Sequence, residues 1–203
     1  MLETLARPET AFAILLGYLL GSIPFGLVLT RLAGLGDIRK VGSGNIGATN
    51  VLRTGNKPLA LATLLLDGGK GAAAALIAMA VAPELAPWAA LAAVLGHLFP
   101  VWLRFNGGKG VATTLGAYFA LSWPVGLAAG LTWLAVALIL RFSSLAGIVC
   151  VGMAPVYAWF IAGPDVAAVA ATLAVLVIYR HKTNIQRLLR GEEPRIGKKK
   201  LER

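Results

Sequence analysis

The sequence predicts an all-α integral membrane protein: a compact bundle of about seven transmembrane helices, several of them short, with the amino terminus outside and the carboxyl terminus in the cytoplasm. Hydrophobic residues make up 58% of the 203 and charged residues only 14%, against roughly 25% charged in soluble domains. The mean hydropathy is +0.76. Lys and Arg outnumber Asp and Glu 19 to 9, and they gather in alternate connections between apolar stretches, which the positive-inside rule reads as topology.

The apolar stretches fall near 11–33, 59–82, 86–103, 111–121, 125–140, 145–162 and 166–179. A helix needs about 20 residues to cross the hydrocarbon, so the first two span comfortably. The others are short or split, which a bundle tolerates where protein shields the flanking backbone. The first stretch is too long for a cleaved signal core, and Glu3 and Glu9 offset Arg7, so it reads as a retained span. Connections 34–57 (Arg39, Lys40, Arg53, Lys57), 104–110 (Arg104, Lys109) and 141–144 (Arg141) are basic, as is the chain from Arg180 onward. Connections 83–87, 122–124 and 163–165 hold only Glu84 and Asp165. Seven crossings satisfy this alternation. Five, with 111–121 and one neighbour not spanning, keep the ends on the same sides. The chain reads as one domain, 1–203, with a basic cytoplasmic tail from about 190 whose "GKKKLER" faces solvent or lipid headgroups. No internal repeat of the inverted-repeat transporter kind is visible.

A single cysteine, Cys150, sits in an apolar run and excludes an intramolecular disulfide. His97 and His181 lack metal-ligand spacing, so no metal is expected. The polar, glycine-rich stretches all fall on one predicted face. "NGGKG" (106–110) opens directly onto a helix start, where glycines let backbone N–H groups curl round an anion and Lys109 adds charge. Lys109 is followed by Gly110, so the nucleotide-binding pattern GxxxxGK[ST] is absent. An ordinary turn carrying a topogenic lysine is the other reading. "GSGNIGATN" (42–50) brings Ser43, Asn45, Thr49 and Asn50 just ahead of Arg53, small donors beside a bidentate cation. Ile46 and Val51 argue that this turn packs against the bundle. In "YRHKTNIQRLL" helical spacing places Arg180, Asn184 and Arg187 on one face, with His181 beside Asn184. The alternative is a basic juxtamembrane helix on anionic lipid. Asp67 and Lys70, three apart within a span, read as a local ion pair. His97, near the end of its span, is either part of a buried polar network or a general base. The remaining acids fall outside or in the tail, leaving Asp37 and Asp67 near the basic face. Neither a Ser-His-Asp set nor an H-x4-D signature is present. Such a face is suited to binding phosphates more than to supplying a nucleophile.

Three motifs together, "GSGNIGATNVLRTGNK", "GHLFPVWLRFNGGKGVATTLG" and "YRHKTNIQRLLRGEE", resemble the cytoplasmic signatures of the bacterial acyl-phosphate-dependent glycerol-3-phosphate acyltransferases, in that family's order. The resemblance implies a multi-pass enzyme of the bacterial inner membrane with its active site facing the cytoplasm. Its partners would be glycerol 3-phosphate, a fatty acyl phosphate and membrane lipid, with no nucleic acid, metal or organic cofactor. It implies a phosphate-binding core of Ser43, Arg53 and Lys109, with Gly107, Gly108 and Gly110 as backbone donors and Ser144, His181 and Asn184 as further polar groups. Asn45, Thr49, Asn50, His97, Thr113 and Arg187 complete the expected substrate contacts. Lys182 stands where the family often has arginine. The hydroxyl proton is expected to go to a substrate phosphate oxygen, with His97 or His181 as the competing acceptor. The alternative function is a membrane transporter of an organic phosphate; a noncatalytic lipid-binding scaffold leaves the two glycine turns unexplained.

Overall fold

The computed structural model describes residues 7–197, so the lysine run 198–200 and the rest of the predicted tail end lie outside the described residues. Every regular element among the described residues is helical. The first apolar stretch is two helices, α1 (Pro8–Gly21) and α2 (Phe25–Leu32), separated at Pro24, which cannot donate to the ladder. Pro8 at the first turn and Glu9 beside it suit a helix N-terminus. A short α3 (Ala48–Leu52) precedes α4 (Lys57–Val81), which the Asn56 side chain caps by accepting from Leu59 N–H at 3.0 Å. Next come α5 (Ala86–Leu98), α6 (Val111–Leu121), α7 (Trp123–Leu140), α8 (Ser143–Ile161) and α9 (Pro164–Arg180). A 63° bend separates α9 from α10 (Lys182–Leu189).

All seven apolar stretches therefore appear as helix. Five are long and apolar enough to cross a membrane, and α9 makes a sixth when the bent α9–α10 pair is taken as one span. The seventh, α6, has 11 residues and reaches about 16 Å, roughly half the hydrocarbon thickness. Its backbone is enclosed by α4, α7 and α5, so its shortness exposes little to lipid.

Small residues set the spacing of the bundle. Gly17 and Gly21 of α1 lie against the backbone of Ala89 and Ala93 of α5, and Gly116 of α6 lies on Gly68 of α4. A side chain at Gly21 or Gly116 would overlap a facing carbonyl, so these helices touch backbone to backbone, as association in lipid favours. The main apolar core, including Val94, Leu98, Tyr118, Val151, Leu173 and Val177, joins α5 to α9. Outward residues such as Ile139 and Phe160 are apolar and exposed. They meet lipid.

The polar connections meet at one end. Thr49 Oγ1 and Ser143 Oγ are 2.9 Å apart, Arg180 reaches Gly107 O at 2.9 Å, and Ile196 N–H donates to Arg141 O at 2.7 Å. The start of α1 lies elsewhere, tied to the 83–85 turn by Arg7 and Glu84 at 2.9 Å.

Candidate active site

The first wall is the turn over 41–53, and Asn50 frames it. Its Nδ2 shares its two hydrogens among Ile38 O, Val41 O and Asn45 O, all at 2.8–3.0 Å, and its Oδ1 accepts from Ser43 N–H at 3.0 Å. Ser43 Oγ and Arg53 Nη1 also reach that oxygen, each at 3.3 Å. Asn50 is 1% exposed with both ends of its amide engaged, so it shapes the loop and has no polar atom free for a ligand. Thr49 is likewise turned to Ser143. Ser43, Gly44 and Asn45 are what this turn shows to the pocket. Burial lowers the pKa of the half-buried Arg53 guanidinium, with the Glu193 carboxylate opposing.

The second wall is the glycine turn. After the left-handed Arg104 and Phe105 (φ 49° and 62°) the chain doubles back under α5. Gly107 N–H donates to Leu98 O at 3.2 Å and Gly108 N–H to His97 O at 3.0 Å. Those two donors are therefore spent on α5. The N–H groups without a backbone acceptor, among the described residues, are those of Lys109, Gly110 and the first turn of α6. Gly110 makes the turn into α6 at φ 86°, where a side chain would be strained. This is a helix N-terminus with a lysine beside it, an arrangement that attracts anions. Burial pulls the Lys109 ammonium down to about 8, with Arg187, Arg53 and Arg180 adding to the effect and Glu193 opposing it.

His97 and Thr113 lie beneath this loop and outside the pocket. The His97 ring is 4% exposed, with Nδ1 3.6 Å from Asp67 Oδ1 and Nε2 against Gly108. Thr113 is buried against Gly71 of α4. Both support the turn from below.

The third wall corrects the single helical face expected for 180–187. The bend between α9 and α10 sends Arg180 to the glycine turn and turns Asn184 and Arg187 the other way. His181, at the bend and 1% exposed, has Nδ1 2.7 Å from Val177 O, so Nδ1 carries a hydrogen and Nε2 faces Gly147 of α8.

Sequence reasoning missed Glu193, which it left in the tail. Gly191, at φ 71°, reverses the chain after α10, with Glu192 N–H donating to Arg187 O at 2.8 Å, a helix-ending turn. Glu193 folds back and accepts from Ser144 Oγ (2.6 Å), Asn184 Nδ2 (2.6 Å) and Arg187 Nε (2.7 Å). Burial alone would raise its pKa, but those three donors hold its carboxyl below the usual range. The glycine just past the helix was the legible signal. Residues 191–197 consequently fold back against α8 and α10, through Glu193 and the Ile196–Arg141 backbone bond, instead of trailing as a free tail.

Between these walls lies an open pocket of about 300 Å³. Its lining also includes Phe99, Gly107, Gly108, Tyr179 and Thr183, with Lys109, Arg180 and Lys182 as cations and no carboxylate among the described residues. Arg180 and Lys182 were noted in the sequence without being counted among the substrate contacts, and Thr183 was not singled out there.

Fold and site define a multi-pass helical membrane protein whose polar end carries a cationic pocket at a glycine turn, the equipment of a membrane-embedded enzyme acting on phosphorylated substrates. A family model described as glycerol-3-phosphate acyltransferase matches residues 11–191. The glycerol-3-phosphate acyltransferase of Paramagnetospirillum magneticum is 65% identical over 193 residues, covering 95% of this chain and 96% of the relative. That of Rhodospirillum rubrum is 64% identical over 195 residues, covering 92% and 90%. The crystal structure of PlsY (YgiH), an integral membrane glycerol 3-phosphate acyltransferase, matches in its glycerol 3-phosphate form with a TM-score of 0.88 at 44% identity, over 93% of this chain and 96% of that one. Its lysophosphatidic acid form matches with 0.86 at 42%, over 93% and 95%. The chain belongs to the glycerol-3-phosphate acyltransferase family.

Proposed function

We propose that the protein transfers a fatty acyl group from an acyl phosphate to the 1-hydroxyl of sn-glycerol 3-phosphate, giving 1-acyl-sn-glycerol 3-phosphate and inorganic phosphate, at the cytoplasmic face of the bacterial inner membrane. On this reading the carboxyl terminus is cytoplasmic and the amino terminus outside. The observation that carries the proposal is the pocket itself: two turns, at 43–45 and 107–109, face one space whose lining, among the described residues, holds three cations and no carboxylate. Both substrates bring phosphate there. The matching PlsY structures are described in glycerol 3-phosphate and lysophosphatidic acid forms, the acceptor and product of such a transfer.

An acyl phosphate is a mixed anhydride with a good leaving group, so the transfer needs alignment and charge stabilisation. Positioning alone supplies about 7–11 kcal/mol in favourable intramolecular cases. The acceptor hydroxyl oxygen forms the ester bond to the carbonyl carbon, the carbon–oxygen bond to phosphate breaks, and phosphate departs toward Lys109 and the free N–H groups of Lys109 and Gly110. Glu193 is a poor base because three donors occupy its oxygens. His181 turns its free nitrogen toward Gly147. We therefore assign the hydroxyl proton to a substrate phosphate oxygen.

The test is a release assay. Detergent-purified protein given acyl phosphate and glycerol 3-phosphate should liberate inorganic phosphate and form lysophosphatidate, and acyl-CoA should not replace the donor. Absence of phosphate release, with glycerol 3-phosphate uptake into proteoliposomes, would favour transport instead.

A further inference from the structure

Arg180, the last residue of α9, reaches back 73 and 72 residues to the glycine turn. Its Nη2 donates to Gly107 O at 2.9 Å and its Nε to Gly108 O at 3.2 Å. The guanidinium carbon sits 5.1 Å from the centre of the Phe99 ring. From the other side α5 takes the N–H groups of the same two residues, through Leu98 O and His97 O. Both glycines are thus held at their N–H and at their C=O.

The consequence falls on the next peptide unit. A trans peptide is planar with C=O and N–H opposed. With Gly108 O turned onto Arg180, the Lys109 N–H of that unit must face the opposite way, and it has no backbone acceptor among the described residues. Glycine has no side chain to bias its dihedrals, so the 108–109 unit is free to rotate unless something holds it. Rotated, it would turn a carbonyl oxygen toward an anion.

We propose that Arg180 is a positioning residue that clamps the carbonyls of Gly107 and Gly108, so that the N–H of Lys109 faces the phosphate. Arginine suits the task because its planar fork reaches two carbonyls at once and stacks on an aromatic ring, which a lysine ammonium does not reproduce. This rests on the 107–110 turn being the phosphate cradle of the reaction proposed above.

The test compares wild type, Arg180→Met and Arg180→Lys as full-length, detergent-purified proteins. Hydrogen exchange of the ligand-free proteins is followed over residues 105–112, together with KM and kcat for both phosphate substrates. Exchange at the Gly107 and Gly108 amides should accelerate at least ~10-fold in both variants, with the spans unchanged. KM for at least one phosphate substrate should rise ~10–100-fold while kcat changes less than ~3-fold. Unchanged turn exchange in Arg180→Met, whatever KM does, overturns the clamp and leaves Arg180 as a direct ligand contact. Wild-type exchange and KM in Arg180→Lys overturns it as well, since charge alone would then suffice. If Arg180→Met cannot be recovered, Arg180→Lys decides by the same two readouts. The exchange experiment needs no substrate, so a wild type inert toward acyl phosphate and glycerol 3-phosphate would count against the reaction while the fate of the clamp is still read directly.

Discussion

Ser144 donates to Glu193 at 2.6 Å across 49 residues of sequence, and the Glu193 carboxylate ties α8, α10 and the returning chain into one unit. Its side chain is 5% exposed, so truncation strands three donors. Glu193→Ala should cost on the order of 3 kcal/mol and most of the activity, and Glu193→Gln should recover part by keeping an acceptor. Thermal unfolding in detergent measures this. The lowered carboxyl pKa fixes the sign with pH: the stabilisation is present above the usual carboxylate range and is lost as pH falls through the lower folded-state value. Glu193→Ala should therefore show a flatter loss of stability in acid than wild type.

Lys109 gives the opposite sign. Its ammonium titrates at about 8, below its ordinary value, because it is buried among arginines. The charged form is disfavoured by the fold, so its charge opposes folding below about pH 8, and that cost fades as pH rises through 8 toward the unfolded value. Lys109→Met should leave the melting temperature at pH 7 equal to or above wild type while reducing kcat/KM by roughly 100-fold. A bound phosphate favours the ammonium and draws a proton. On the proposed reading that Lys109 binds a substrate phosphate, KM for that substrate should accordingly climb above pH 8, approaching about tenfold per pH unit. Lys109→Arg, charged throughout, should flatten that rise. Initial rates from pH 6.5 to 9.5 check both statements.

The spans were legible because lipid demands apolar length, and 111–121 was found although it is half a span. The break at Pro24 was hidden, since residues 11–33 are apolar enough to read as one span and only the missing proline donor interrupts the ladder. The motif stretches 42–50, 104–110 and 179–189 do converge, but which of their atoms face the pocket depends on backbone geometry that composition does not carry. Asn50 and His97 are polar residues beside glycines, as ligand contacts are, yet they frame turns. Glu193 was missed because a carboxylate in a basic tail looks solvated until Gly191 folds it back.

Gly108 tests how tightly that framing is built. A Cβ there would overlap His97 Nε2, and the ring cannot retreat because Asp67 lies behind it. Gly108→Ala should push the turn into the pocket, raising KM for the phosphate substrate ~10–100-fold with a smaller change in kcat. His97→Ala combined with Gly108→Ala removes the overlapping atom while keeping the His97 carbonyl that receives the 108 amide. The double variant should bring KM back toward wild type. Steady-state kinetics on the two single variants and the double variant separate this overlap from any direct chemical role of His97, which no second substitution at 108 would relieve.

Asp67 and Lys70 pair at 2.8 Å with both side chains 3% exposed, in the middle of α4. The ammonium also donates to Ile23 O at 2.7 Å and lies 5.6 Å from the Phe25 ring. It thereby satisfies a carbonyl at the α1–α2 break, where Pro24 interrupts the ladder. Removing one member strands the other charge in an apolar interior, a loss of about 3–5 kcal/mol for buried pairs. Lys70→Met should be at least as harmful as Asp67→Asn, because it leaves a buried carboxylate without its ammonium and takes from the Ile23 carbonyl the shorter of its two donors, the other being Phe25 N–H at 3.1 Å. The double variant Asp67→Leu, Lys70→Met removes both charges and leaves the Ile23 carbonyl with Phe25 N–H as its donor, so its melting temperature should exceed that of Lys70→Met. A double variant that melts below both singles would show Asp67 and Lys70 acting through separate partners, with the contact to His97 as the first place to look for the one that Asp67 serves.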